Sequence, residues 1–196
     1  MLNELSLFTG YGGFSLGLRL AGIETRCVGY VEKEPYCQEL LRARIRDGLL
    51  DWAPIISDIR SADFRPMAGM VDVITAGFPC QPHSQAGLKR GAGDDRNLWP
   101  DTARIIGEVR PRYVLLENVP GIIANRYIGT VLGSLSELRY DAEWGIVSAA
   151  DAGAPHLRKR WWCLATKMDD PEHDGRNGSQ ESGSLGSRVY PSEGEK

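Results

Sequence analysis

Residues 5–21 read LSLFTGYGGFSLGLRLA, a stretch in which a short apolar run, a glycine-rich turn and a helix-forming run follow one another. This order predicts a β-strand over Leu5–Thr9 and an α-helix from about Gly13 to Ala21. Glycines between a strand and a helix let the backbone turn tightly and approach a ligand closely. The stretch therefore predicts the first strand–turn–helix unit of an α/β domain, with a candidate ligand-binding turn at its centre.

The rest of residues 1–167 alternates in the same way between short apolar runs and amphipathic stretches. Such alternation is typical of a parallel sheet with helices packed against it. The run Val71–Ala76 is apolar at nearly every position, as expected for a strand covered on both faces. The other predicted strands are Arg26–Val31, a short one before Asp58, Tyr113–Leu116, Ala142–Ser148 and Trp161–Thr166. The other predicted helices are Pro35–Gly48, Leu98–Val109 and a helix through Ile128, Leu132, Leu135 and Leu138.

Length and charge divide the chain into one domain and a tail. Its 196 residues suffice for a single domain with a real core. After Lys167 the sequence becomes rich in Gly, Ser and acids, and residues 168–196 carry seven acids and three bases, a net charge of −4. Because the whole chain carries −3, residues 1–167 carry only +1, well short of a strongly basic DNA-binding domain. We therefore predict an ordered domain over 1–167, followed by a disordered tail or the start of a variable region.

Two broad classes of protein are disfavoured. No apolar run approaches the roughly 18 residues that span a bilayer, and the N-terminus resembles no signal peptide, which favours an intracellular protein. The four cysteines are scattered, and only Cys80 and His83 lie close together. This pattern predicts free thiols and no metal site.

Two acids follow predicted strands near the glycine turn. Glu32 ends the second strand, where a carboxylate can bind ribose hydroxyls, and Asp58 follows the third, where it can accept from an adenine amine. Counting from Gly10, the third glycine position of a dinucleotide motif holds Ser15. An adenosine-bearing ligand without a pyrophosphate, such as S-adenosylmethionine, therefore fits better than a dinucleotide. The alternative is that the glycines only form a turn and the acids are surface caps.

The sequence GFPCQP at residues 77–82 follows the strand that ends at Ala76. Ligands of open α/β sheets bind outside the carboxyl ends of the strands, and Cys80 lies there between two prolines. This position favours a nucleophile over an inert buried thiol, the usual role of a free cysteine.

Three further charged residues are candidates for the same site. Glu117 follows Tyr113–Leu116 and would project from the same rim as Cys80. Arg158 and Arg160 are alternate residues entering the last strand, so they share one face of it. The alternatives are a local Glu–Arg pair and a solvated basic turn.

These four groups of residues resemble, in order and spacing, the conserved blocks of the DNA cytosine-5 methyltransferase family. The resemblance covers residues 4–166, and its most specific parts are GFPCQ, ENV at 117–119 and RKR at 158–160. It implies a Rossmann-like S-adenosylmethionine-dependent methyltransferase fold, with a mostly parallel sheet and helices on both faces. It also implies a DNA (cytosine-5-)-methyltransferase, of the kind found in prokaryotic or phage restriction–modification, that acts on double-stranded DNA.

The resemblance implies a role for each candidate residue. Cys80 would add to C6 of a cytosine flipped out of the duplex, and Glu117 would bind N3 and the exocyclic amine. Arg160 would contact the base carbonyl, with Arg158 on the same side. The implied S-adenosylmethionine contacts are Phe8, Thr9, Gly10, Gly12, Gly13, Glu32, Asp58, Ile59, Pro79 and Leu98. The implied DNA contacts are Gln81, Ser84 and Asn118.

The chain departs from the family pattern in several places. Ser6 replaces a common acid, and His156 stands where a Gln is frequent. The target-recognition region and the closing helix of the family do not follow residue 167. We therefore expect a truncated enzyme, or one half of a split enzyme whose second chain supplies those parts, with doubtful activity alone. The competing hypotheses are a tRNA cytosine-5 methyltransferase, a non-catalytic module that retains the fold, and a nicotinamide oxidoreductase.

Overall fold

The computed structural model describes residues 1–79 and 97–168, and its centre is a seven-stranded sheet. The strands are β1 (Leu2–Leu7), β2 (Thr25–Val31), β3 (Ile55–Ile56), β4 (Val73–Ala76), β5 (Tyr113–Asn118), β6 (Tyr140–Ser148) and β7 (Lys159–Lys167). Their order across the sheet is β3-β2-β1-β4-β5-β7-β6. Strands β1 to β5 are parallel, and β7 is antiparallel to both of its neighbours. The predicted mostly parallel sheet is confirmed.

Helices lie on both faces of the sheet. They are α1 (Gly13–Leu20), α2 (Pro35–Arg46), α3 (Trp99–Val109), α4 (Gly121–Ala124) and α5 (Ile128–Glu137), with short 3-10 helices at Arg65–Met67 and Ala150–Ala152. On one face, Leu5 and Leu7 of β1 join the main hydrophobic core with residues of α3 and α5. On the other face, Cys27 and Tyr30 of β2 pack with Leu41 of α2 in a second cluster. Alternation along each strand therefore separates two layers of helices.

A buried carboxyl lies between α1 and the sheet. Glu4 is fully buried, and its Oε1 accepts a hydrogen bond of 2.7 Å from the Thr75 hydroxyl of β4. Burial raises the pKa of Glu4, and hydrogen bonds from Thr75 and Ser15 oppose that shift. Helix α1 therefore packs against the sheet around a buried, hydrogen-bonded carboxyl group as well as through apolar side chains.

Several strands begin or end at residues other than the predicted ones, and the structure gives a reason for two of these differences. Strand β1 stops at Leu7 instead of Thr9, because Phe8 has φ +54° and leaves the extended conformation. Strand β6 begins two residues before the predicted start, at Tyr140, whose hydroxyl donates to the carbonyl of Pro111 at 2.6 Å. Helix α3 ends as expected before Pro111, with Arg110 in the left-handed conformation.

The carboxyl ends of the parallel strands form one edge of the sheet. The residues that leave this edge are the glycine turn after β1, Glu32 after β2 and residues 77–79 after β4. Trp99, at the start of α3, is buried and packs on Phe78, with ring centroids 5.0 Å apart. This contact fixes the segment after β4 against α3. Among the helices of the described ranges, none combines the length and apolarity needed to cross a membrane.

Candidate active site

Two cavities open at the carboxyl edge of the sheet, and Phe8 lines both of them. The first cavity, of about 600 Å³, also contains Thr9, Gly10, Gly13, Glu117, Arg158 and Arg160. The second cavity, of about 640 Å³, contains Glu32, Asp58, Ile59, Pro79 and Leu98. Most of the residues predicted for a site are thus brought to two adjoining cavities that meet at one aromatic side chain.

Glu32 holds the glycine turn. Its Oε2 accepts from the backbone N–H of Gly10 at 2.7 Å, and its Oε1 accepts from the backbone N–H of Glu34 at 2.8 Å. Each carboxylate oxygen has a second lone pair, so both can still accept from a ligand hydroxyl. Glu32 is therefore oriented before any ligand binds, at the boundary between turn and second cavity.

Phe8 has an unusual backbone conformation. Its φ of +54° lies in the left-handed region, which a bulky side chain adopts at a cost of about 1–3 kcal/mol. Such strain persists where the surrounding structure imposes it, commonly at ligand sites. The ring lies at the boundary of the two cavities. The resemblance implied a cofactor contact for Phe8, but no sequence pattern indicated its positive φ.

Gly12 lies outside both cavities. It has φ +83°, and a Cβ at this position would come within 2.8 Å of a methyl carbon of Leu50. The positive φ and the close approach of Leu50 each explain why a glycine occupies this position. The contact with S-adenosylmethionine that the resemblance implies for Gly12 stays a prediction.

Replacement of Gly12 by alanine is expected to lower the free energy of unfolding by about 1–3 kcal/mol, because of the positive φ and the close approach of Leu50. The matched control is Gly133→Ala in α5, where a Cβ meets nothing within 4 Å. That change should raise the free energy of unfolding by about 0.5–1 kcal/mol. Urea denaturation measures both, and equal effects of the two substitutions would contradict this account of the turn.

Asp58 is fixed at the rim of the second cavity. Its carboxylate accepts from the backbone N–H of Arg60 at 2.9 Å and from the Ser61 hydroxyl at 3.0 Å. These bonds, the first above all, lower the pKa of Asp58. The carboxylate is therefore ionised at neutral pH and suited to accept a hydrogen bond from an amine.

Glu117 and Arg160 form an ion pair inside the first cavity. Arg160 Nε lies 2.6 Å from Glu117 Oε1, and both side chains are largely buried, at 20% and 25% exposure. Arg158 is exposed and lines the same cavity. The sequence left open a local Glu–Arg pair as an alternative to a site. The pair exists, and it consists of two of the candidate residues themselves.

Asn118 is buried, and its amide is used within the protein. Its Nδ2 donates to the carbonyl of Phe78 at 2.9 Å, and its Oδ1 accepts from the backbone N–H of Val119 at 2.8 Å. These bonds tie the end of β5 to the segment that leads from β4 towards Cys80. The predicted DNA contact of Asn118 stays a prediction, and the observed bonds give the residue a structural role.

The three described thiols are poorly suited to nucleophilic attack. Burial raises the pKa of Cys27 and of Cys163 to about 12 each. The pKa of Cys37 is also raised, first by desolvation and then by Glu32 and Glu34. Since a thiolate is the reactive form, none of the three competes with Cys80 as a candidate.

Three predicted residues, Cys80, Gln81 and Ser84, lie outside the described residues. Within the described parts of the chain, no group of three or more His, Cys, Asp and Glu side chains is placed to hold a metal ion.

Sequence reasoning missed three aromatic residues of the first cavity, Tyr11, Phe14 and Trp162. Trp162 follows Arg160 by two residues, as Arg160 follows Arg158. Because every second residue of a strand points to the same face, this spacing could have placed Trp162 beside the two arginines. Phe14 directly follows the glycines, at the second residue of α1. The direction of the Phe14 side chain depends on how α1 packs against the sheet, and the sequence pattern does not indicate that packing.

Comparisons with known proteins find similar sequences and a similar fold. A family model described as C-5 cytosine-specific DNA methylase matches residues 2–188. Type II methyltransferase M.CviJI of Paramecium bursaria Chlorella virus IL3A is 35% identical over 170 residues, which cover 86% of this chain and 44% of that protein. Type II methyltransferase M.NgoMIV of Neisseria gonorrhoeae is 33% identical over 169 residues, covering 85% and 52% respectively.

A solved structure shows the same fold. The Dnmt2 methyltransferase of S. pombe superposes with a TM-score of 0.71 at 24% identity, over 95% of this chain and 58% of that one. The chain thus spans about half the length of the proteins it matches.

Proposed function

The chain belongs to the C-5 cytosine-specific DNA methylase family, and we propose that it carries the cofactor-binding and catalytic part of a DNA cytosine-5 methyltransferase. One observation carries this proposal: a cavity with a Glu–Arg pair adjoins a cavity with two strand-end acids, and Phe8 lines both. A methyl donor and an acceptor base need two such compartments that meet at one point.

We propose that the second cavity and the glycine turn bind S-adenosylmethionine. The cavity fits the group, because it combines two oriented carboxylates with apolar walls from Ile59, Pro79 and Leu98. Glu32 would bind the ribose hydroxyls, and Asp58 would accept from the adenine amine. When bound, S-adenosylmethionine supplies an electrophilic methyl group.

The Glu32→Ala variant should bind S-adenosylmethionine about ten- to hundredfold more weakly, since hydrogen bonds to a charged group contribute about 1.5–3 kcal/mol. Calorimetric titration of the chain measures this change. The control is Glu39→Ala, because Glu39 is an exposed residue of α2 that pairs with Arg42. Unchanged affinity in Glu32→Ala, or an equal loss in both variants, would contradict the assignment.

The Glu117–Arg160 pair would hold the acceptor base in the first cavity. Glu117 would bind N3 and the exocyclic amine, and Arg160 would move from the carboxylate to the base carbonyl, with Arg158 beside it. The reacting carbons of a cytosine cannot be reached inside the stacked duplex, so the cytosine must leave the duplex to enter the first cavity. The ion pair keeps both side chains in place until the base arrives.

We propose that Cys80 performs the covalent step. Its thiolate forms a bond to C6, and the electron pair of the C5–C6 double bond makes C5 nucleophilic while N3 takes a proton from Glu117. C5 then takes the methyl group as the bond between that carbon and the sulfonium sulfur breaks, which leaves S-adenosylhomocysteine. Transfer of the C5 proton to water or another base restores the double bond and expels the thiolate of Cys80, and N3 returns its proton to Glu117. Arg158 and Arg160 favour the thiolate by their charge.

Part of the sheet beside the first cavity is exposed on the α1 side. Leu115 and Leu164 share this face with Trp162, as the pairing of β5 with β7 shows, and Leu164 is 41% exposed. We propose that a further segment, in the same or a second polypeptide, covers this surface and supplies target recognition. Adding the C-terminal half of a type II relative should then raise methyl transfer strongly, whereas full activity of the chain alone would contradict this part of the proposal.

Transfer of a labelled methyl group from S-adenosylmethionine to a cytosine-containing DNA duplex tests the function, with tRNA as a second acceptor. The proposal expects label on C5 of cytosine in DNA. Label only in tRNA would support the alternative substrate. No transfer to either, with the C-terminal half of a relative present, would support a non-catalytic module.

A further inference from the structure

Phe14 and Trp162 form an aromatic pair that joins two separate elements. Phe14 lies in the first turn of α1, directly after the glycine turn, and Trp162 lies on β7. Their ring centroids are 5.8 Å apart, and the ring planes meet at 77°, which is the preferred edge-to-face geometry. The pair therefore bridges the element that carries the glycine turn and the strand that carries Arg160.

Trp162 is also the neighbour of Glu117. The two residues are directly opposite each other in the antiparallel pairing of β5 and β7, so their side chains lie on the same face about 5 Å apart at Cβ. Both line the first cavity. The Trp162 ring and the Glu117 carboxylate therefore share one face of the sheet beside the same cavity.

Gly77 shows how tightly these side chains meet. A Cβ at Gly77 would lie 3.3 Å from Glu117 Oε2 and 3.7 Å from Phe14 Cε2. The Phe14 ring and the Glu117 carboxylate thus both lie close to the same backbone position. That position is three residues before Cys80.

We infer that the Phe14–Trp162 pair is a positioning element, which sets the distance between the glycine turn on the donor side and Glu117 on the acceptor side. The inference rests on the proposed methyl transfer. Each ring has only two side-chain torsions, with χ1 confined to staggered wells, and a leucine at either position is too small to keep the contact between the two rings. The pair does not touch the reacting atoms in this account, and it acts through Glu117 and the turn.

Single-turnover methyl transfer to a cytosine duplex, with the C-terminal half of a type II relative present throughout, tests the inference in variants. Phe14→Leu and Trp162→Leu should each slow transfer by about a hundredfold, the effect of a displacement of about 1 Å. The affinity for S-adenosylmethionine should change little, and Trp162→Phe should restore most of the rate. The double Leu variant should be about as slow as either single one, because the two rings act as a unit. Trp144→Leu on β6, an exposed tryptophan outside both cavities, is the control for loss of an indole.

A second readout needs no turnover. Titration with S-adenosylhomocysteine should change the tryptophan fluorescence of the wild-type chain, and Trp162→Phe should remove that change. Phe14→Leu should bind the probe by calorimetry without the fluorescence change. Wild-type rate and wild-type fluorescence response in Phe14→Leu would overturn the inference. If wild type and Cys80→Ala are equally inactive, that result would instead count against the proposed function. The fluorescence titration would still test whether Phe14 and Trp162 act together.

Discussion

Replacement of Cys80 by serine is expected to reduce methyl transfer by about 10⁴-fold or more, in line with the loss of other catalytic nucleophiles. The reason is that the thiolate begins the reaction, and a hydroxyl is almost never ionised near neutral pH. The three described thiols offer no substitute, because each has a raised pKa. The effect should fall on the rate of transfer and leave the affinity for S-adenosylmethionine unchanged.

Cys37→Ser is the matched control for this prediction, since Cys37 lies outside both cavities. That variant should transfer methyl groups at the wild-type rate. A Cys80→Ser variant that remains as active as Cys37→Ser would remove the covalent step from the account. The family assignment would stand, but the chemistry would need another nucleophile.

Replacement of Glu117 by glutamine should lower the rate of transfer by about 10²–10⁴-fold, the usual contribution of a positioned acid or base. Glutamine keeps the shape of the side chain, but it can neither pair as an anion with Arg160, as Glu117 does at 2.6 Å, nor take up and release a proton near neutral pH. Without a proton for N3, the ring cannot accept the electron pair that the attack of Cys80 delivers.

The control for Glu117 is Glu143→Gln. Glu143 lies on the same face of the sheet, because it is opposite Leu164, which is opposite Leu115, and it is exposed on β6. Single-turnover rates compare the two variants at saturating S-adenosylmethionine. If Glu117→Gln proceeds at the rate of Glu143→Gln, the carboxyl does not act on the base.

Most of the fold could be predicted from the sequence because its signals are local. The glycine turn lies between an apolar run and a helix, and the largely apolar run before Gly77 indicated a strand buried on both faces. The order of the strands and the reversed direction of β7 depend on contacts between distant segments. A single sequence carries no direct signal for them.

Residues that line the two cavities could be selected from the sequence where an unusual residue occupies a strand end, as with Glu32, Asp58 and Glu117. The site was not predictable where the tertiary arrangement decides. The positive φ of Phe8, the bond from Asn118 to the carbonyl of Phe78 and the ring contact of Phe14 depend on neighbours far along the chain. A buried asparagine and an exposed one look identical in the sequence, so the DNA contact predicted for Asn118 had no local test.

The most direct test of the central claim is covalent trapping on a DNA duplex that contains 5-fluorocytosine, with S-adenosylmethionine present and the C-terminal half of a relative added. Fluorine at C5 blocks the loss of the proton that releases the thiolate, so the adduct persists. We expect a covalent protein–DNA complex that survives denaturation, with the modified base attached to the peptide that contains Cys80. Methyl transfer to ordinary DNA without any adduct on Cys80 under these conditions would contradict it.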